Sequence, residues 1–287
     1  MNSISNRNTS SDQLIAGLAE KALWIRQQVL RMACEANGGH IAPSYSCTEI
    51  LVTLYYGGIL KVDPRNPRWP ERDRFILSKA QAALALYPIL GDLGFFPMEE
   101  VYAFTKNGSR LGAHADDAIP GVDVFSGSLG HGMSLGCGMA LALQRDDKEQ
   151  RVFVLLGDGE CHEGSIWEAA MFAGYNRLRN MVVIVDNNGL SASDHLDNYL
   201  SLQPFENKWS SFGWDVITAD GHSIAQLLRV FHDAKGRSAE KPLAIIAKTV
   251  KGRGVGFMEN RADWHYRIPS GGELIQAKRE LGLLDDE

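Results

Sequence analysis

Residues 151–170 read RVFVLLGDGECHEGSIWEAA, and this stretch decides which class of fold the chain adopts. An apolar run, VFVLL, stops at Gly-Asp-Gly, and a helical pattern begins near Ser165. A short apolar run bounded by glycine is typical of a strand that is buried on both faces. Three acidic residues follow the strand, namely Asp158, Glu160 and Glu163. Because a tight turn needs glycine but not acid, these carboxylates indicate chemistry at the strand end.

Similar apolar runs recur along the chain and alternate with helical patterns. They predict strands with the sequences RFILS (74–78), RVFVLL (151–156), NMVVIVDNN (180–188) and PLAIIAKTV (242–250). Runs of valine and isoleucine without polar alternation belong in parallel sheets that are covered on both faces. We therefore predict an α/β fold with a mostly parallel central sheet flanked by helices on both faces.

The sequence of the N-terminal part of the chain predicts a tail followed by two helices. Residues 1–12 are polar, which favours a flexible tail, and helical periodicity then continues to about Asn37. Ser46 or Thr48 is placed to cap a second helix. The segment SGSLGHGMSLGCGMALALQ, residues 126–144, predicts a glycine-rich turn that leads into a helix of small residues.

Composition and charge exclude several classes of function. The 287 residues are 45% hydrophobic and carry a formal net charge of -6, which fits a globular protein with a sizeable core. Nonspecific nucleic-acid binding needs a basic face, so the acidity argues against it. Because the polar N-terminus lacks a secretion signal and no apolar run reaches the roughly 20 residues of a membrane span, we expect a cytoplasmic protein without a membrane segment. The four cysteines show no C-x-x-C spacing, which argues against a zinc site.

Two strand ends carry oxygen ligands for a metal ion. Asp158 follows the second predicted strand, and Asn187 and Asn188 end the third. A right-handed crossover sets these strand ends side by side, at the edge of the sheet where ligands collect. A carboxylate, an amide oxygen and a backbone carbonyl suit Mg²⁺ or Ca²⁺, and one protein charge leaves positions for a diphosphate. The alternative is an ordinary turn and an ordinary strand end, but their spacing favours a metal site.

Five segments, in order along the chain, resemble the transketolase family. GDGECHEG, with NN about 30 residues later, resembles the thiamine diphosphate signature. The other segments are GGHIAPSYSCTEIL, RDRFILSKAQAALALY, GAHADDAIPGVDVFSGSLGHGMSLGCGMALA and KTVKGRGVGFMENRADWHYRIP, which is similar to TxKGKGVxxxEnxxxWHgxxP. The resemblance covers roughly residues 15 to 280. It implies the thiamine diphosphate-binding fold, as one diphosphate-binding domain over residues 13–287.

The resemblance implies roles at the cofactor for each matching residue. Asp158, the Asn188 side chain and the Leu190 carbonyl would hold the metal ion, Mg²⁺ or Ca²⁺, that binds the diphosphate of thiamine diphosphate. The Gly159 amide would bind the diphosphate, and Gly127 and Leu129 would contact the aminopyrimidine. Gln81 occupies a position that faces the cofactor in the family, and Glu163 would link the two cofactor sites.

Four residues match the family's catalytic positions. Glu163 corresponds to the glutamate that hydrogen-bonds a glutamate of the partner chain, which in turn protonates the pyrimidine. His40 and His265 would transfer protons at the acceptor carbonyl and the ketose oxygens, and His114 would bind the C1 hydroxyl of the donor. Imidazole suits this work because its pKa lies near neutrality. Glu160 has no matching role and is expected to be a solvated residue.

One position departs from the family pattern. Ala80-Gln81 stands where the family has Gly-His, and glutamine forms hydrogen bonds but cannot act as an acid. Three outcomes are open: ketol transfer with an altered donor preference, a donor that lacks the C1 hydroxyl such as pyruvate, or weakened activity. The retained His114 favours a hydroxylated donor.

The family's chains continue with a pyrimidine-binding domain and a C-terminal domain, which we expect on a separate chain. The resemblance therefore implies the N-terminal subunit of a split transketolase, with a C-terminal partner subunit in an α₂β₂ assembly and exposed apolar patches at the interfaces. The expected reaction moves a two-carbon ketol unit from a ketose, often phosphorylated, to an aldose. The alternatives are acyl transfer from a pyruvate-like donor, as in deoxyxylulose-phosphate synthase or the 2-oxoacid dehydrogenase E1 subunits, and a non-catalytic paralogue. The motif around His265 favours transketolase.

Overall fold

The apolar runs form one parallel sheet, as predicted. The computed structural model describes residues 2–198, 200–236 and 240–284, without the side chains of residues 2–10. Within that part the sheet has five strands, β1 (Arg74–Leu77), β2 (Val152–Gly157), β3 (Met181–Asn187), β4 (Asp215–Asp220) and β5 (Leu243–Lys248). Their order is β1-β2-β3-β5-β4, and every pair is parallel.

Helices cover both faces of the sheet. They are α1 (Asn2–Ala36), α2 (Ile41–Ser46), α3 (Thr48–Tyr56), α4 (Ala83–Leu93), α5 (His131–Arg145), α6 (Gly164–Tyr175), α7 (Phe205–Ser211), α8 (Ile224–Gly236) and α9 (Gly272–Glu280). Alternate residues of β2 enter opposite cores. Phe153 and Leu155 pack in the core beneath α1, α3, α4 and α8, whereas Val154 and Leu156 pack beneath α5 and α6. This confirms the predicted arrangement of layers.

The structure differs from the sequence prediction at one edge strand. β4, with the sequence DVITAD, was not predicted, because its alternating acidic, apolar and hydroxyl residues do not form a continuous apolar run. β4 pairs only with β5 and lies at the end of the strand order, and most of its residues are partly exposed. An edge position explains why its sequence is polar.

The N-terminal predictions also need correction. α1 begins at Asn2, so the helix continues through most of the segment predicted to be a tail. The predicted caps are wrong, because the N-cap of α3 is Cys47 and forms no side-chain cap hydrogen bond. The Thr48 hydroxyl donates to the Ser44 carbonyl, and the Ser46 hydroxyl donates to a buried carboxylate. No helix in the described residues is both long enough and apolar enough to cross a membrane.

Candidate active site

A cavity of about 230 Å³ opens at the carboxyl edge of the sheet. Its walls include seven of the residues predicted for the cofactor and catalytic sites, namely Gln81, Leu129, Asp158, Gly159, Asn188, Leu190 and His265. A larger cavity of about 830 Å³ lies near the opposite ends of the strands and is lined by charged residues such as Lys61, Asp147 and Arg179. Since ligands of parallel sheets bind at the carboxyl ends of the strands, we take the smaller cavity as the candidate site.

Asp158 is buried at the wall of this cavity, with 1% of its surface exposed. One carboxylate oxygen accepts hydrogen bonds from the Gly189 amide, at 2.6 Å, and from the Asn187 side chain, at 3.0 Å. The other accepts from the Gly159 amide, at 2.8 Å. Burial, followed by repulsion from Asp186, raises the pKa of Asp158 to about 6. The carboxylate therefore lies where a bound cation would stabilise its ionised form.

The donor atoms around Asp158 fit a hard divalent cation. Asn188 and Leu190 line the same cavity, and the Asn188 side-chain oxygen accepts from the Leu190 amide at 3.0 Å. No cluster of three or more His, Cys, Asp or Glu able to hold a metal occurs in the described part of the chain. An ion in this cavity would thus rely on one carboxylate supplemented by amide and carbonyl oxygens, the donor types that Mg²⁺ and Ca²⁺ accept.

Two lysines that sequence reasoning missed stand beside the cavity. Lys79 is buried and forms an ion pair with Asp186 at the end of β3. Lys251 donates to the Ser191 carbonyl at 2.5 Å and lies 3.0 Å from Nδ1 of His265. Burial, followed by repulsion from Lys79, lowers the pKa of Lys251 to about 8. Both lysines lie within the segments that carried the family resemblance, and two cations beside a buried carboxylate suit a metal diphosphate.

Glu160 contradicts the prediction that it is a solvated residue. It is buried, with 4% of its surface exposed. One carboxylate oxygen accepts from the Ser78 hydroxyl at 2.5 Å and from the Gly130 amide at 2.9 Å, and the other accepts from the Gly157 amide at 3.1 Å. Glu160 therefore joins the end of β1, the glycine-rich turn before α5 and the end of β2. Three donors gathered from these segments explain how the fold accommodates this acid.

Four of the predicted site residues, Glu163, Gly127, His40 and His114, do not line the cavity. Glu163 is exposed at the N-cap of α6 and forms no side-chain cap hydrogen bond. A Cβ on Gly130, whose φ is +82°, would lie 2.7 Å from the Cβ of Glu163, so only glycine allows this close approach. The Ser165 hydroxyl also donates to the Gly130 carbonyl at 3.1 Å. Glu163 is thus an exposed residue packed beside the glycine-rich turn for which the sequence predicts contact with the pyrimidine.

The three predicted catalytic histidines form one cluster. The ring centroid of His40 lies 5.8 Å from that of His114 and 5.2 Å from that of His265. Burial, followed by repulsion from neighbouring imidazole and lysine side chains, lowers the pKa of His40 to about 4. Burial and repulsion from Lys251 lower the pKa of His265 to about 3. These imidazoles are neutral at physiological pH and can both accept and donate hydrogen bonds to hydroxyl groups.

Comparison with known proteins identifies the family to which this chain belongs. Residues 20–287 match the family described as transketolase, thiamine diphosphate binding domain. The chain belongs to this transketolase family. It is 38% identical over 256 residues to a protein of Phocaeicola vulgatus named as one of the subunits of apulose-4-phosphate transketolase, covering 89% of this chain and 90% of that protein. It is 39% identical over 249 residues to the 6-deoxy-6-sulfo-D-fructose transketolase subunit SqwG of Clostridium sp., with 86% and 90% covered.

Longer transketolases contain the same fold as one part of their chain. The transketolase of Campylobacter jejuni superposes with a TM-score of 0.86 at 29% identity, over 92% of this chain but 42% of that chain. The rat transketolase is 38% identical over 254 residues, which are 88% of this chain and 40% of that protein. This transketolase-family chain therefore corresponds to less than half of those proteins and to nearly all of the two relatives that are named as subunits.

Proposed function

We propose that the chain is the cofactor-binding subunit of a split transketolase. With a partner subunit it transfers a two-carbon ketol unit from a ketose to an aldose. The observation that carries this proposal is the cavity in which Asp158, Asn188 and Lys251 lie directly beside the cluster of three neutral imidazoles. Similarity to two proteins named as transketolase subunits, over 90% of their lengths, supports it.

The residues of the cavity suit a metal-bound thiamine diphosphate. Asp158, the Asn188 side chain and the Leu190 carbonyl would hold Mg²⁺, while Lys251 and the Gly159 amide would bind diphosphate oxygens. When bound, the cofactor supplies the electron sink that cleavage next to a carbonyl requires. The protein supplies the orientation of the cofactor and the control of protons.

The histidine cluster would manage protons on the sugar. Because burial holds the pKa values of His40 and His265 well below neutrality, both rings are unprotonated and can accept hydrogen bonds from the hydroxyl groups of the sugar. His114, whose pKa is also lowered by burial, would bind the hydroxyl of the transferred unit. Gln81 lines the cavity at the position where the family has histidine, which supports an altered donor preference rather than loss of the site.

An exposed apolar face would bind the partner subunit. Met171, Phe172 and Tyr175 are exposed on α6, with Tyr175 87% exposed, and Leu135 is exposed on the neighbouring α5. Apolar surface of this kind marks protein interfaces. The N-cap of the same helix is Glu163, which is exposed. We assign this face to a chain that carries the pyrimidine-binding domain, in an α₂β₂ assembly.

The class of substrate follows from the named relatives. One acts on apulose 4-phosphate and the other on 6-deoxy-6-sulfo-D-fructose, according to their names, so both sugars carry an anionic group at the end of the chain. We propose a ketose donor with such a group. Acyl transfer from a pyruvate-like donor remains the alternative, and a donor panel separates the two.

The metal assignment is tested through cofactor binding in the reconstituted complex. Asp158→Asn should lower the affinity for thiamine diphosphate in the presence of Mg²⁺ by about 100-fold, the upper range for perturbing a metal site, as measured by calorimetry. Asp233→Asn, at an exposed position of α8 that does not line the cavity, is the matched control and should leave the affinity unchanged. Equal affinities for all three proteins would refute the assignment.

The division of the enzyme into two chains is tested through turnover. Ketol transfer should require both chains, and activity of the isolated chain would contradict the proposal. Glu163→Gln should reduce turnover while cofactor affinity and assembly, measured by calorimetry and ultracentrifugation, stay unchanged. Turnover of pyruvate but not of ketoses would favour acyl transfer, and absence of any turnover in the assembled, cofactor-loaded complex would favour a non-catalytic paralogue.

A further inference from the structure

Tyr266 lies beside the imidazole cluster and has no role in the function proposed above. Its ring centroid is 4.6 Å from that of His40, with the ring planes at 67°, an edge-to-face contact. Tyr266 is 55% exposed, although Trp264, two residues earlier, is fully buried. An exposed aromatic ring in contact with a half-buried catalytic candidate is a feature that core packing does not require.

The surrounding backbone fixes the position of the ring. Tyr266 directly follows His265, whose side chain lines the cofactor cavity next to Lys251. On the other side, a Cβ on Gly38 would lie 3.3 Å from the Tyr266 hydroxyl oxygen, so the main chain passes close to the phenol. No described residue forms a hydrogen bond with that hydroxyl. The ring is therefore positioned by His40 and by the main chain at Gly38, while more than half of the side chain stays exposed.

These contacts place Tyr266 at the border of the imidazole cluster to which the proposed function assigns the sugar. A sugar whose reacting carbons lie between His40 and His265 has its first carbons at the cofactor cavity, and the rest of its chain must extend outward. The exposed Tyr266 ring adjoins His40 and is therefore within reach of the part of a sugar that extends past the imidazoles. A tyrosine presents an apolar face to C–H groups and a hydroxyl to sugar hydroxyls, which suits an open-chain sugar.

We propose that Tyr266 is a specificity-determining residue that contacts the carbon chain of the sugar beyond the bond that is made or broken. The inference rests on the proposed function and names the substrate feature that this chain recognises, namely a chain of four or more carbons. A three-carbon aldose ends before it reaches the ring. The contact favours longer aldose acceptors over three-carbon ones.

The test measures ketol transfer by the reconstituted complex with one fixed donor and aldose acceptors of three, four and five carbons. Tyr266→Ala should raise KM for the four- and five-carbon acceptors by about tenfold, the size expected for loss of one aromatic contact. KM for the three-carbon acceptor and all kcat values should stay within about twofold, because His40 and His265 are retained. Tyr266→Phe keeps the ring, so it should retain most of the length preference.

Two controls show whether the ring of Tyr266 acts on acceptor length alone. Tyr175→Ala removes an even more exposed tyrosine from α6 and should weaken assembly without changing the ratio of KM values between acceptors. Cofactor affinity of Tyr266→Ala should equal that of the wild type, which excludes misfolding. An active wild-type complex in which Tyr266→Ala changes KM equally for all acceptors, or for none, would overturn this inference alone. A wild-type complex without ketol transfer would instead overturn the proposed function.

Discussion

Removing the Glu160 side chain should destabilise the fold much more than removing that of Glu163, three residues later on the same turn. In Glu160→Ala the Ser78 hydroxyl and the amides of Gly130 and Gly157 lose their acceptor in a buried place. Each buried donor left without a partner costs about 1–3 kcal/mol. The side chain of Glu163 is exposed and forms no capping hydrogen bond, so its removal leaves no buried group unpaired.

The net effect is smaller than the sum of three lost hydrogen bonds. Burial raises the pKa of Glu160, which shows that holding its charge inside the fold is itself unfavourable, and the alanine variant is relieved of that charge. We therefore expect Glu160→Ala to lower the free energy of unfolding by about 2–4 kcal/mol, and Glu163→Ala by less than about 0.5 kcal/mol.

Urea denaturation of the isolated chain, followed by circular dichroism, measures the difference between the two variants. With a slope near 3 kcal/mol per molar, the midpoint for Glu160→Ala should fall by about 1 M. The midpoint for Glu163→Ala should stay close to that of the wild type. Equal midpoints for the two variants would refute the view that Glu160 is a buried link between three segments.

The glycines of α5 should respond to alanine with opposite signs. A Cβ on Gly132 would lie 2.5 Å from the Ser78 hydroxyl, so Gly132→Ala should lower the urea midpoint. A Cβ on Gly138 would meet nothing within 4 Å, so Gly138→Ala should raise the free energy of unfolding by about 0.5–1 kcal/mol. Burial by itself would raise the pKa of Glu49. The hydrogen bonds and charges of His222 and Arg26 outweigh burial and bring this pKa down to about 2. Glu49→Gln should therefore destabilise at pH 6, and the difference from the wild type should shrink as the pH falls from about 4.5 toward 2. Nitrogen NMR shifts should show His40 and His265 neutral at pH 5.5, and charged rings there would contradict their burial.

The sequence was sufficient to predict the centre of the sheet but not its edge. β1, β2, β3 and β5 are continuous apolar runs, because strands covered by helices on both faces need apolar residues on both faces. β4 is partly exposed at the edge, so its polar alternation resembles a loop as much as a strand. The position of a strand within a sheet depends on long-range pairing, which local periodicity does not encode.

For the site, sequence reasoning located the strand ends but misjudged one of the acids. Asp158 and Asn188 could be placed together because parallel strands end at the same edge of the sheet. The burial of Glu160 could not be predicted, because its hydrogen-bond donors come from residues 78 and 130 as well as from the adjacent Gly157. An isolated glutamate in a sequence favours solvent, and only the tertiary fold supplies the donors that reverse this preference.

The three acidic residues of this turn, Asp158, Glu160 and Glu163, therefore lie in different surroundings and are expected to have different roles. Asp158 is buried at the cavity wall, where a cation would stabilise its charge. Glu160 is buried and joins the loops that form the wall of the cavity, so its hydrogen bonds hold that wall in place. Glu163 is exposed at the start of the helix that presents the apolar face, and nothing within the described residues holds its carboxylate by a capping hydrogen bond. If the carboxylate of Glu163 binds a second chain, substitutions of Glu160 and Glu163 must affect cofactor affinity and turnover differently. Loss of Glu160 should weaken cofactor binding through the wall, whereas loss of Glu163 should leave binding intact and reduce only turnover.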